Sequence, residues 1–174
     1  MKASVYCTTK TVAQAESIVD ALKASGFTSD SISALMPDKR TTRDFAHAHN
    51  TKAPEGATTG GVAGLGVGAA LGWLAGIGAL AIPGVGPFIA AGPIMAALGG
   101  AAVGTAAGGL VGGLIGMGIP EFEAKRYDAK IREGNILISV HTEDSKQRDV
   151  AKDIFKRFDA DDISTGSEAS AKSA

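Results

Sequence analysis

The period of the apolar positions changes repeatedly along this chain, and each change marks an element. In ASVYCTT, Val5 and Cys7 alternate with Tyr6, the two-residue repeat of a half-buried strand. Thr11 and Gln14 then read as a capping box, and Val12, Ala15, Val19 and Leu22 fall on one helical face before Gly26 stops it. SISALM alternates again and ends at Pro37. Much later, Pro120 opens PEFEAKRYDAKIRE, with Glu121 and Glu123 at the positive end of the helix dipole and Gly134 as the stop. NILISVHT puts Ile136, Ile138 and Val140 on one strand face, and His141 on the other. Asp144 caps a helix carrying Val150, Ile154, Phe155 and Phe158, and DDIST is a last short strand.

These flanks order as β-α-β and β-α-β, the split arrangement of ferredoxin-like α+β domains. Each half is too small to bury a core alone, so the expectation is one four-stranded sheet carrying one helical layer. Residues 1–37 supply its first half and 38–55 a polar linker. Residues 120–165 supply a connecting helix and the second half, and 166–174 a polar tail too poor in apolar residues to order itself.

Between the flanks lies a block of a different kind, residues 56–119. Glycine recurs every fourth position at Gly60, Gly64, Gly68, Gly72 and Gly76, and again at Gly100, Gly104, Gly108, Gly112 and Gly116. Residues four apart advance about 400°, so such stripes stay in contact only between helices that cross with a right-handed twist. Thr58 to Ile82 and Pro93 to Ile119 therefore read as two helices, each of about 25 residues or roughly 37 Å. Pro83, Gly84, Gly86 and Pro87 make the turn between them. The predicted insertion is a glycine-zipper helical hairpin.

Composition sharpens this contrast. No charged residue stands between Gly56 and Pro120, while the 17 Lys and Arg and 18 Asp and Glu of the 174-residue chain all lie in the flanks. Two uncharged segments of spanning length point to a hairpin in the cytoplasmic membrane, its globular domain in the cytoplasm. Basic residues outside both ends, Lys39 to Lys52 and Lys125 to Lys130, fit that topology. Alanine and glycine are weakly lipophilic, and Trp73 lies mid-segment. The alternative is therefore a soluble cytoplasmic assembly in which hairpins bury one another. The net charge of −1 leaves no footprint for nucleic acid, and the N-terminus has no apolar stretch like that of a signal peptide.

Candidate chemistry is sparse. The glycines form neither G-x-G-x-x-G nor a glycine-rich loop ending in Lys-Ser or Lys-Thr, so no phosphate cradle is expected. His47 and His49 have no third ligand at a suitable spacing, and Cys7 reads as a small buried hydrophobe. The expectation is a non-enzymatic chain with no catalytic residue, cofactor or metal, whose partners are itself and membrane lipid.

AIPGVGPFIAAGPI (Ala81 to Ile94) and GLIGMGIPEFEAKRYDAKIREGNILISV (Gly113 to Val140) resemble the bacterial general-stress and low-temperature-induced glycine-zipper proteins. The junction GMGIPE, Gly116 to Glu121, is the specific part. Lys125-Arg126-Tyr127 stands where those proteins are richer in tyrosine. The resemblance implies a small stress-linked protein, often membrane-associated, with no catalytic residues to carry over. A small-ligand-sensing module is a further expectation, resting on analogy of fold alone.

Overall fold

The computed structural model of the chain describes residues 2–37, 78–82, 86–92, 94 and 109–167. The alternating segments of the flanks form the predicted strands. They are β1 (Ala3–Thr9), β2 (Ile32–Pro37), β5 (Ile136–Thr142) and β6 (Asp161–Ser167). Helix α1 (Val12–Ala24) starts as its capping signal predicts, the Gln14 amide donating to Thr11 Oγ1 at 3.1 Å. The same device starts α4 (Ser145–Arg157), where the Gln147 amide donates to Asp144 at 2.8 Å. The Gln14 side-chain amide also donates to the carbonyls of Phe158 and Asp159, at 2.7 and 2.9 Å, tying the start of α1 to the end of α4.

With two further strands, β3 (Gly78–Ile82) and β4 (Gly86–Ala91), the described residues form an antiparallel sheet of six strands in the order β3-β4-β2-β5-β1-β6. The halves interleave: β5 lies between β2 and β1, and β1 lies between β5 and β6. No two strands of one half are neighbours, so neither half satisfies its backbone groups without the other. This is an α+β architecture, and the two flanks share one sheet.

Strands β3 (Gly78–Ile82) and β4 (Gly86–Ala91) correct the helical hairpin. Residues 78–82, expected as the end of a long helix, pair instead with β4, from Gly78 against Ala90 to Ile82 against Gly86. The predicted turn falls between two strands, and Gly86 and Pro87 belong to β4 itself. The physical reason is visible beside it: β2 would otherwise present unpaired amides at a sheet edge, and β4 satisfies them from Ala34–Ala91 to Pro37–Phe88. Short apolar runs on either side of a Pro/Gly turn suit a β-hairpin as well as a helical one. Beyond β4 the chain turns sharply at Gly92, whose φ of +83° suits glycine. A Cβ there would lie 2.1 Å from the Ile32 carbonyl oxygen.

A second correction concerns the layers. Helices α1 and α4 cover one face of the sheet, burying Val5, Cys7, Ile138 and Val140 as expected. The other face is covered too, by α2 (Gly109–Gly116) and α3 (Glu121–Arg132), which bury Tyr6, Leu35 and Leu137. Leu35 and Leu137 stand next to apolar neighbours in their strands, and such continuous runs mark a sheet buried on both sides. The C-terminal boundary shifts as well: Gly166 and Ser167, expected in the tail, pair with Ser4 and Ala3.

Candidate interaction surface

Helix α2 divides its residues between the sheet and the outside. Leu110 and Leu114, four apart, are buried against the sheet with Phe88, Ala90 and Ile94. Gly112 and Gly116, also four apart, point the other way. Among the described residues, a Cβ built on either would meet nothing within 4 Å. Ile115 is 42% exposed between them. Of the ten stripe glycines, these two lie among the described residues; Gly60 to Gly76 and Gly100 to Gly108 lie outside them, as do Pro83 and Gly84 of the turn.

The GMGIPE junction fixes this surface in place. Gly118, at φ +88°, ends α2, and the Ile119 amide donates back to the Leu114 carbonyl at 3.2 Å. Ile119 is buried, and the Pro120 carbonyl accepts the first bond of α3, from Ala124. The corner rests on the sheet without a gap. A Cβ at Gly166 would lie 3.0 Å from both the Gly118 carbonyl oxygen and the Tyr6 ring, and the Tyr6 hydroxyl donates to the Met117 carbonyl at 3.3 Å.

Helix α3 is held by a polar cluster beneath it. Ala124, Tyr127 and Ile131 make its buried face. The Tyr127 ring lies 6.2 Å from that of Tyr6, and its hydroxyl donates to the Asp162 carbonyl at 2.7 Å. The Ser164 hydroxyl, 2.5 Å away, is then the donor to the Tyr127 oxygen. Asp162 turns inward because β6 carries a bulge, an extra residue between the pairs Tyr6–Ser164 and Thr8–Asp161, with Asp162 at φ +52°. Aspartate accepts that conformation more readily than most residues. Its carboxylate, only 7% exposed, pairs with Arg126 and accepts from the Thr8 hydroxyl at 3.3 Å.

These groups lock α3 to the sheet. Burial pushes the Tyr127 hydroxyl well above its ordinary range, the Ser164 bond offsetting only part of this. Burial likewise raises the Cys7 thiol, which is a core side chain. His141 is partly buried opposite Ser4 in the β1–β5 ladder, and His47 and His49 lie outside the described residues. Among the described residues no three His, Cys, Asp or Glu side chains are grouped to hold a metal ion. On the outer face of α3, Lys125 pairs with Glu121 at 2.6 Å and holds its carboxyl below the usual range. Arg132 pairs with Asp128 at 2.7 Å. Beside these paired charges Phe122 stands 77% exposed.

Sequence reasoning missed the Arg126–Asp162 pair, the Tyr127–Ser164 contact and exposed Phe122. One signal was present: two consecutive aspartates are poor strand formers, and their presence in DDIST marks an irregular strand. Among the described residues no helix is long and apolar enough to cross a membrane. No family model, curated protein or solved structure matches this chain.

Proposed function

We propose that the protein is a non-enzymatic, self-associating protein. In this reading a ferredoxin-like core presents the glycine face of its insertion to the same face of other copies. The observation that carries the proposal is the space that the described residues leave open over Gly112 and Gly116. Glycine in a helix costs about 1 kcal/mol relative to alanine, and among the described residues nothing requires its absent side chain at either position. The return on that cost then lies beyond the described residues, and in this reading it is a helix of another copy that approaches closely enough to use it. The polar cluster under α3 supports the same reading, since a rigid mounting lowers the ordering cost of association. The resemblance in the GMGIPE junction adds a link to bacterial stress responses.

Replacing Gly112 and Gly116 by Leu in the full chain tests this. The added side chains meet open space among the described residues, so the fold persists by circular dichroism while sedimentation shows a smaller assembly than the parent chain forms. An unchanged oligomer removes the proposal.

A membrane setting is a second reading, favoured by the exposure of Phe122 and Ile115 beside a long uncharged segment. Fractionating a native lysate separates the settings. Pelleting with membranes and release only by detergent supports the bilayer; a large particle indifferent to detergent supports a soluble assembly.

A further inference from the structure

The two edges of the sheet are built differently. At one edge, β6 begins with Asp161 and Asp162, is bulged at Asp162, and ties Asp161 to Lys10 at 3.2 Å. Charge and a bulge are the devices that keep an edge strand from pairing with another chain. At the other edge, β3 reads GALAI. It has no charge, no proline and no bulge, and its five pairs with β4 run without a register shift. Among the described residues no strand pairs with its outer side.

The ladder also tells which backbone groups face outward. Pro87 has no N–H to give, so Ala81–Pro87 is a position where the two strands exchange no hydrogen bonds. In an antiparallel ladder such positions alternate, which makes Ala79–Ile89 another. Ala79 and Ala81 therefore turn their N–H and C=O groups to the open edge.

We propose that β3 is a dimerisation edge, on which a second copy of this chain pairs its own β3 antiparallel about Leu80. In that register Ala79 of one copy faces Ala81 of the other, and the outward groups of both exchange hydrogen bonds. A two-fold pairing makes the strand its own complement, and the absence of charge from Gly56 to Pro120 leaves nothing to repel the partner. A second copy fits better than open-ended stacking, because the guarded β6 edge refuses β3 and the pairing closes at two. The proposal uses no property of the glycine face and stands apart from it.

The test is made on the full chain in mild non-ionic detergent, with Gly112→Leu and Gly116→Leu present so that the helix face does not contribute. This chain is expected to sediment as a dimer. Adding Ala79→Lys and Ala81→Lys sets lysines opposite one another and weakens the dimer at least tenfold; Ala79→Glu with Ala81→Glu does the same. Mixing the lysine and glutamate forms restores a dimer containing one of each, which also shows that both fold. The proposal is overturned if the Gly112→Leu/Gly116→Leu chain is monomeric, a result that leaves the glycine-face reading untouched. It is overturned equally if the mixture associates no better than either form alone. Slow hydrogen exchange at the Ala79 and Ala81 amides of a monomer would assign the edge to this chain's own residues and would also overturn it.

Discussion

Replacing Tyr127 by phenylalanine removes one oxygen and leaves the ring in place against Tyr6. At neutral pH the change deletes the bonds to the Asp162 carbonyl and the Ser164 hydroxyl, at 2.7 and 2.5 Å. At about 1 kcal/mol net for each, the loss is about 2 kcal/mol. At about 4 °C per kcal/mol this lowers the melting temperature by about 8 °C. The sharper expectation lies at high pH. Tyr127 keeps its proton in the folded chain beyond the point where a free tyrosine, near pH 10, releases it. Above about pH 10 the unfolded chain has therefore lost a proton that the folded chain retains. Stability then falls by about 1.4 kcal/mol per pH unit through this group. The phenylalanine variant has no such proton to lose, so the two stability curves converge and meet near about pH 11.5, where the accumulated penalty equals the lost bonds. Cys7 adds its own alkaline loss, but equally to both proteins. Urea titrations at pH 7, 10 and 11 read the difference directly. A gap that stays constant with pH, or a loss under about 0.5 kcal/mol at pH 7, would refute the assignment of Tyr127 as the buried donor that holds α3.

Other perturbations follow from the same contacts. Gly92→Ala forces a Cβ against the Ile32 carbonyl at a positive φ and should cost about 3 kcal/mol or more in urea unfolding. Gly112→Ala should do the reverse, raising the unfolding free energy of the monomer by up to about 1 kcal/mol while weakening association. Arg126→Met leaves the Asp162 carboxylate buried with only Thr8 beside it, a loss of about 2 kcal/mol that Arg126→Lys should partly restore. A chain with residues 38–108 replaced by a short Gly/Ser linker should keep the flanks folded by circular dichroism but associate in sedimentation, because β2 then lacks the partner that β4 supplies. Removing α2 and α3 as well uncovers Tyr6, Leu35 and Leu137 and should give aggregates.

The flanks were legible because their signals are local. Thr11 with Gln14, Asp144 ahead of its helix, and the alternation of Ile136, Ile138 and Val140 each act within a few residues, and each lies where predicted. The insertion was not, because the fate of GALAI and GPFIAA is decided by β2, a strand distant in sequence whose edge needs a partner. The second helical layer was half-legible. Leu137 beside Ile136 and Ile138 announces burial on both sides, but nothing in NILISV says which segment supplies the cover. Of the surface, the four-residue spacing named Gly112 and Gly116; that they point away from the sheet depends on Leu110 and Leu114 facing it. The Arg126–Asp162 pair depends on a bulge, and a bulge is a property of two strands together.

The interleaving of the strands also sets the order of events during synthesis. β1 is made first, yet both its neighbours, β5 and β6, come from the last part of the chain, and Thr8 reaches across 153 residues to Asp161. At roughly 5–20 residues per second, the ribosome releases the whole uncharged insertion before the sheet that anchors it can close. During those seconds an apolar, glycine-rich segment waits beside an unpaired strand, which is the condition under which neighbouring nascent chains find one another. The self-association proposed above would then begin on the polysome, and the speed with which β6 arrives would determine how many copies meet before each core shuts.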